Sequence, residues 1–157
     1  MKIELVWIGK TSEEWINKGI EEYLKRLKHY IGFEIKEFQY IKKSAKLSQD
    51  EIKVKEGEML LSYLQPGDVL ALLDEKGKAY TSREFSEFVN QQMLRSVKRL
   101  IFVIGGAYGF SEAVYNKKQY QASLSKMTFS HQMVRVIFLE QLYRAMTILN
   151  GEPYHHD

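Results

Sequence analysis

The sequence predicts an α/β fold in which helices lie on both faces of a mostly parallel β-sheet. Strand patterns and helical patterns alternate along the chain, which is the order that βαβ units produce. Two of the strand patterns, residues 69–73 and 100–104, consist entirely of apolar residues. Such runs are typical of strands that are covered on both faces. With 157 residues, the chain is long enough to bury one core, and we expect residues 1–157 to form a single domain.

The first part of the chain contains two strand patterns and two helical patterns. An apolar run over Lys2–Ile8, rich in β-branched residues, predicts the opening strand. Thr11 and Glu14 have the spacing of a capping box and predict the start of a helix that continues to Leu27. The patterns that follow are a half-buried strand over 33–41, a polar loop with Lys42, Lys43 and Lys46, and a helix over 50–64.

The second part of the chain continues the alternation. The apolar strand 69–73 is followed by a turn over 74–77 and by a helix over Ser82–Leu94. The apolar strand 100–104 ends in a glycine-rich loop, and Ser111 is placed to cap a short helix after it. The last predicted elements are a short strand over 121–124 and a long helix over 131–149.

The composition excludes several classes of protein. Cysteine is absent, so disulfides, thiol nucleophiles and thiolate metal sites are excluded, and we expect a cytoplasmic protein. No apolar run approaches the roughly 20 residues of a membrane-spanning helix, and the first residues resemble a strand rather than a signal peptide. The four histidines lack a metal-ligand spacing such as HExxH, so we predict no metal.

The apolar strands end in residues suited to ligand binding. Ligands of open α/β sheets lie beyond the carboxyl ends of the strands. Three such ends stand out, at residues 73–74, 105–109 and 124–129. The glycines of 105–109 allow a ligand to approach the backbone closely, although a tight strand-to-helix turn would also place glycines there. The loop does not match GxGxxG, which disfavours a nicotinamide site, and the sequence has no GxxxxGK[ST] phosphate loop.

The last predicted helix and the residues after it carry a second group of polar candidates. Glu140 and Arg144 have the i,i+4 spacing of an ordinary helix-stabilising ion pair, as well as the chemistry of a polar site. Arg135 is suited to fork onto phosphate, or it belongs to a solvated helix face. His131 is placed either to cap the helix or to exchange a proton. From these residues the sequence predicts an α/β ligand-binding domain with a polar C-terminal site, but no particular reaction.

The same segments carry a resemblance to a known family. They are residues 72–74, 102–109, 124–136, 140–145 and 151–155. In these segments the sequence resembles the ribosomal RNA large subunit methyltransferase H family of the SPOUT class, whose members methylate N3 of a pseudouridine in 23S ribosomal RNA. The resemblance spans the whole chain, and its most specific part is the second half. Ser130 departs from the family pattern, which usually has proline just before the histidine.

The resemblance implies a fold detail, a cofactor and partners. It implies a trefoil knot in the C-terminal part of the chain, a homodimer, and S-adenosyl-L-methionine as the methyl donor. It also implies 23S ribosomal RNA as the substrate. The net charge of +3 is only mildly basic, so we expect the chain to act on an assembled ribosome, the 70S particle, rather than on free RNA. The cofactor contacts that the resemblance implies are Leu73, Gly105, Leu124, Ser125, Lys126, Met127, Thr128 and Phe129.

The catalytic hypothesis uses the polar C-terminal residues. His155 or His131 would take the proton from N3, since a neutral imidazole is available near neutral pH. Arg135 and Arg144 would hold phosphate or stabilise the developing negative oxygen. Glu140 would orient one of the arginines, and Tyr154 would stack on the base. The alternatives are a non-catalytic ribosome-binding assembly factor that keeps the fold and a regulatory module that binds adenine nucleotides.

Overall fold

The computed structural model describes residues 1–41 and 47–156, so the loop predicted at Lys42, Lys43 and Lys46 lies outside the described residues. Strands and helices alternate as the sequence predicts. Their bounds are β1 (Lys2–Ile8), α1 (Glu14–Leu27), β2 (Gly32–Phe38), α2 (Gln49–Tyr63), β3 (Val69–Ala79), α3 (Ser82–Leu94), β4 (Arg99–Ile104), α4 (Glu112–Lys117), β5 (Tyr120–Ser123) and α5 (Met133–Leu149).

The strands form one five-stranded sheet in the order β2-β1-β4-β3-β5. Every neighbouring pair of strands is parallel. The predicted α/β class with a parallel sheet is therefore confirmed. The trefoil knot and the single domain over 1–157 stay predictions.

Helices cover both faces of the sheet, because successive side chains in the apolar runs of β3 and β4 point to opposite faces. In β4, Phe102 belongs to one buried cluster and Val103 to the other. The first cluster contains the apolar sides of α1, α3 and α5, and it includes the contact between Phe102 and Phe138, whose ring centroids are 4.7 Å apart. The second cluster contains Leu60 of α2 and Val114 of α4. The continuous apolar runs predicted from the sequence thus fill two separate halves of the core.

Two local predictions are wrong in detail. The helix α1 does not begin with a capping box at Thr11, because its cap position is Glu13, whose side chain makes no capping hydrogen bond. The side chain of Gln132 accepts hydrogen bonds from the backbone N–H of Ser12 and Glu13 instead, at 3.0 and 3.1 Å. The predicted turn at 74–77 does not end β3, which continues to Ala79 with a shift of register against β5.

The capping box of α3 supports a prediction about stability. The Thr81 hydroxyl accepts a hydrogen bond from the backbone N–H of Glu84 at 3.2 Å, and the Glu84 carboxylate accepts one from the N–H of Thr81 at 2.7 Å. Thr81→Ala is expected to lower the free energy of unfolding by about 1 kcal/mol, measured by urea denaturation. Thr81→Ser retains the hydroxyl and is the control. Equal losses in both variants would show that the cap does not stabilise the helix.

Candidate functional site

A cleft of about 540 Å³ opens at the carboxyl ends of β3 and β4 and along the segment that follows β5. This is the edge of the sheet where ligands of parallel α/β folds bind. Leu73 and Ile104 end the paired parts of β3 and β4, and Leu124 follows β5 directly. Val134, in the first turn of α5, closes the cleft on another side.

Most of the predicted cofactor contacts meet in this cleft. The residues that line it are Leu73, Gly105, Leu124, Ser125, Met127, Thr128 and Phe129. Lys126 does not line the cleft, and its side chain is exposed. Three segments that are far apart in the sequence therefore come together as the sequence predicts. Sequence reasoning did not place Lys53 or Phe110 here, because neither belongs to a strand end.

Hydrogen bonds fix the walls of the cleft. The Ser125 hydroxyl accepts a hydrogen bond from the backbone N–H of Met127 at 2.9 Å, which holds the 124–129 segment in a turn. The Tyr115 hydroxyl donates to the carboxylate of Asp74. Burial and this hydrogen bond raise the pKa of Tyr115 to about 12, so its proton stays in place at neutral pH. The Thr128 hydroxyl donates to the Glu75 carboxylate at 3.4 Å.

Packing restricts side chains at two glycines of the glycine loop, and the backbone conformation favours glycine at a third. The N–H of Gly109 donates to the carbonyl of Gly106 at 3.1 Å, and Gly109 has a φ of +79°, in the region that favours glycine. A Cβ on Gly106 would lie 2.3 Å from an oxygen of Glu56. A Cβ on Gly105 would lie 3.2 Å from the ring of Phe110. The packing behind the loop thus explains both of these glycines.

His131 lines the cleft and is exposed. His131 does not cap the last helix, because the cap position is Gln132, whose side chain makes no capping hydrogen bond. The Ser130 hydroxyl instead accepts a hydrogen bond from the N–H of Met133 at 3.1 Å. Of the predicted catalytic residues, His131 is the one that the described chain places at the cleft.

Arg135 is buried, so its interpretation as part of a solvated helix face is wrong. Its side chain is 1% exposed, and the guanidinium carbon lies 4.6 Å from the centre of the Trp7 ring. It donates to the Thr11 hydroxyl and to the carbonyl of Ile8, the latter at 3.3 Å. Burial lowers the pKa of Arg135. Arg135 therefore joins α5 to the end of β1 and does not line the cleft.

The remaining catalytic candidates form one cluster at the C-terminal half of α5. Arg144 forms an ion pair with Glu140, so the predicted helix-stabilising pair exists. The Tyr154 hydroxyl donates to the same carboxylate oxygen of Glu140 at 3.2 Å, and the Arg144 guanidinium lies 4.8 Å from the centre of the Tyr154 ring. Nη1 of Arg144 lies 3.3 Å from Nδ1 of His155. We call Glu140, Arg144, Tyr154 and His155 the C-terminal cluster.

The contact with Arg144 favours one tautomer of a neutral His155 ring. A guanidinium has only donors, so Nδ1 of His155 must accept and must be unprotonated. A neutral ring then carries its proton on Nε2, which becomes a donor. In this tautomer His155 has one N–H donor, on Nε2.

Tyrosines that sequence reasoning missed surround the C-terminal cluster. The rings of Tyr143 and Tyr154 meet edge to face with centroids 4.7 Å apart, and Tyr143 also contacts Tyr30 at 5.7 Å. Burial, with a hydrogen bond to Tyr23, raises the pKa of Tyr154 far above its usual range. Tyr143 lies in the segment 140–145 that carries the family resemblance, but its helical spacing alone could not distinguish a packing role from a binding role.

The cleft and the C-terminal cluster are separate within one chain. Val134 lines the cleft, and Arg144 lies further along the same helix by roughly 15 Å, at about 1.5 Å per residue. None of the four cluster residues lines the cleft. One copy of the described chain therefore does not bring the predicted cofactor contacts and the predicted catalytic groups together, apart from His131.

A parallel sheet with a cleft built from several strand ends and a glycine loop defines an α/β ligand-binding protein. The family described as "Predicted SPOUT methyltransferase" matches residues 1–155. The chain belongs to this family of methyltransferases, and the resemblance found in the sequence is confirmed.

Curated relatives match the chain over its full length. A protein of Parabacteroides distasonis is 57% identical over 157 residues, which is 100% of both chains. One of Bacteroides thetaiotaomicron is 52% identical over the same share of both. One of Christiangramia forsetii is 54% identical over 156 residues, or 99% of both. All three are named ribosomal RNA large subunit methyltransferase H.

Two features are absent from the part of the chain that the structure describes. Residues 1–41 and 47–156 contain no group of three or more histidine, aspartate or glutamate side chains arranged to hold a metal ion. No helix in the same ranges has the length and apolar character needed to span a membrane.

Proposed function

We propose that the protein methylates N3 of a pseudouridine in 23S ribosomal RNA, with S-adenosyl-L-methionine as the methyl donor. One observation carries the proposal: the cleft at the strand ends gathers seven of the eight predicted cofactor contacts. The names of the full-length relatives support ribosomal RNA as the substrate. A single domain over residues 1–157, a C-terminal trefoil knot and a cytoplasmic location belong to the same proposal.

The cleft suits this methyl donor in size and in chemistry. Its volume of about 540 Å³ lies within the roughly 300–1,000 Å³ of small-molecule sites. The glycine loop allows a ligand to reach the backbone, and the lining carries two carboxylates, Asp74 and Glu75, and two lysines, Lys53 and Lys76. A carboxylate close to a positive sulfonium would attract it. When bound, the donor supplies a methyl group whose bond to sulfur breaks as a bond to N3 forms, and the electron pair of the broken bond stays on sulfur.

The residues of the chain prepare the acceptor for this transfer. N3 of the base carries a proton and becomes a strong nucleophile only when that proton leaves. His131 lines the cleft and is our candidate to accept it. His155, held by Arg144, would donate a hydrogen bond to the neighbouring carbonyl oxygen, and Arg144 would offset the negative charge that develops there. Tyr154 would stack on the base.

A homodimer would complete the site. Within one chain the C-terminal cluster lies far along α5 from the cleft, so its groups do not reach a ligand there. A second copy packed against α5 would supply its own cluster to the cleft of the first. The two sites of such a dimer would each contain a cleft from one protomer and a cluster from its partner.

Assembled ribosomes are the proposed substrate because the chain has little charge of its own for holding RNA. The net charge of +3 provides few phosphate contacts, and affinity for naked RNA grows with the number of such contacts. A surface already shaped by folded RNA and ribosomal proteins would position the target nucleotide without a large basic patch.

The experiment that tests the function uses radiolabelled S-adenosyl-L-methionine and ribosomes from cells that lack the enzyme. Parallel reactions contain 70S particles, separated subunits and protein-free ribosomal RNA. We expect label in 23S RNA from the 70S particles and little label in free RNA. Ribosomes from cells that have the enzyme are the control and should accept no label. Equal labelling of free RNA would contradict the assembled substrate, and binding to ribosomes without any labelling would favour the non-catalytic assembly factor.

A further inference from the structure

A second, smaller cavity of about 20 Å³ lies directly behind the glycine loop. It shares part of its wall with the cleft, including Lys53, Gly105 and Gly106. The polar side chains that line it, among the residues the structure describes, are Lys53, Glu56 and Ser111. The rest of the lining consists of apolar residues and glycines. Gly106 therefore separates a mostly apolar cavity on one side from the methyl-donor cleft on the other.

Glu56 is a buried acid in this cavity, and one of its carboxylate oxygens has no hydrogen-bond partner among the described residues. The residue is 6% exposed, and its Oε2 atom is buried with no hydrogen-bond partner. Its two carboxylate oxygens lie 2.3 and 3.1 Å from the position that a Cβ on Gly106 would occupy. The nearby Lys53 forms its ion pair with Asp50, at 3.0 Å, and not with Glu56. A buried carboxyl normally has a partner, so this one calls for an explanation.

The other acids near the cleft, Asp74 and Glu75, have hydrogen-bond partners. Asp74 accepts hydrogen bonds from the Tyr115 hydroxyl and, at 2.8 Å, from the backbone N–H of Lys76. Glu75 accepts one from Thr128 at 3.4 Å and is exposed, so water screens its charge. Glu56 is instead buried beside Gly106, where charges interact more strongly than they do in water.

We propose that Glu56 makes the cleft prefer a cationic methyl donor to its neutral demethylated product. The inference rests on the proposed function. The donor carries a sulfonium charge, and the product carries a neutral thioether in its place, while their other groups are the same. A carboxylate behind Gly106 attracts the first and has no comparable attraction for the second. Glu56 would thus act as a specificity-determining residue that helps the product to leave after each transfer.

The proposal predicts a dependence on pH with a definite sign. Burial raises the pKa of Glu56, so its charge forms at a higher pH than that of an ordinary glutamate. As pH rises through this pKa, affinity for the donor should increase, and affinity for the product should change little. The other charged or titratable side chains that line the cavity or the cleft, besides Asp74 and Tyr115, are Lys53, Glu75, Lys76, Tyr108 and His131. His131 is another ionisable side chain at the cleft, so its effect has to be separated from that of Glu56.

Calorimetric titration of the purified full chain with S-adenosyl-L-methionine and with S-adenosylhomocysteine tests the proposal. Glu56→Gln keeps the shape of the side chain and removes its charge. We expect the variant to bind the donor about tenfold more weakly, as one pKa unit of coupling would give, and to bind the product as the wild type does. Glu58→Gln, an exposed residue of the same helix, is the matched control and should change neither affinity.

The outcomes separate this proposal from the proposed function. If the wild type binds neither compound, the cofactor assignment itself fails. If the wild type binds both and Glu56→Gln weakens both equally, or neither, the preference does not come from Glu56. If Glu56→Gln does not fold, titration of His131→Gln upward from about pH 4, near the pKa of an ordinary glutamate, decides instead. A donor affinity that rises with pH, beside a constant product affinity, supports the role of Glu56, and a flat donor profile overturns it.

Discussion

Arg144→Ala is expected to lower the rate of ribosome methylation by about 100-fold or more, because removal of a donor that stabilises developing negative charge has effects of this size. The substitution also removes the ion-pair partner of Glu140 and the donor that contacts Nδ1 of His155. Affinity for S-adenosyl-L-methionine should change little, since Arg144 is assigned to the carbonyl oxygen of the methyl acceptor and does not line the cleft of its own chain. Calorimetric titration and the labelling assay on 70S particles measure the two effects. Arg144→Lys keeps the charge but loses the planar fork and should recover only part of the rate.

Mixed dimers show whether the cluster acts on the cleft of its own chain. Leu124→Arg places a cation in the cleft and should prevent binding of the donor while leaving the C-terminal cluster intact. Neither variant should be active alone. When Leu124→Arg and Arg144→Ala protomers are mixed and allowed to exchange, half of the dimers contain both, and each of these has one complete site if the partner supplies the cluster. About a quarter of the wild-type activity should return. Absence of any recovery in verified mixed dimers would show that cleft and cluster of the same chain work together.

Gly77→Ala is expected to lower the free energy of unfolding by about 3 kcal/mol, at the upper end of the usual cost of overpacking. A Cβ on Gly77 would lie 2.6 Å from the backbone nitrogen of Ala122 and 2.7 Å from the carbonyl carbons of Gln121 and Ala122. These atoms belong to β5, which pairs with β3 on either side of the register shift, so they cannot move aside as a flexible side chain would.

The control for this prediction is Gly32→Ala, another glycine in a strand. Its added Cβ would meet only the side chain of Lys2, at 4.0 Å. Urea denaturation of both variants should show a loss confined to Gly77→Ala. Asp74, Glu75 and Lys76 lie in the same register shift of β3 as Gly77, and they line the cleft. Affinity for the methyl donor should therefore fall as well. A Gly77→Ala protein as stable as the Gly32→Ala protein would show that β5 yields more easily than its pairing indicates.

The fold was predictable where periodicity is strong. The bounds predicted for β1 and α3 agree with the structure. A mostly apolar run marks the first element, and apolar residues at helical spacing mark the second. The apolar strands 69–73 and 100–104 identified both the parallel sheet and the edge where the cleft opens. Local sequence was sufficient in these places because burial on two faces leaves a pattern that depends little on the partner strand.

Tertiary contacts determined what the sequence could not predict. Thr11 matches a capping box, but its hydroxyl accepts a hydrogen bond from Arg135, which is far along the chain. Arg135 has the same helical spacing as the buried Phe138 and Leu142, but its charge predicted an exposed side chain, and its packing on Trp7 explains why a guanidinium is buried. Glu56 lies in a helix with no clear apolar stripe, so nothing in its neighbourhood marked it as buried behind Gly106. Each of these depends on residues that are brought together only in the folded chain.

The strand order also governs how the chain can fold as it is synthesised. β1 pairs with β2 early, but its other edge pairs with β4, which begins only at Arg99. The contacts from Gln132 to Ser12 and Glu13 span 120 and 119 residues. Until β4 has been made, a nascent chain therefore carries a central strand with one unpaired edge and an uncovered apolar face. Folding dominated by such distant contacts is slow, so the native sheet forms late, after α5 has been made.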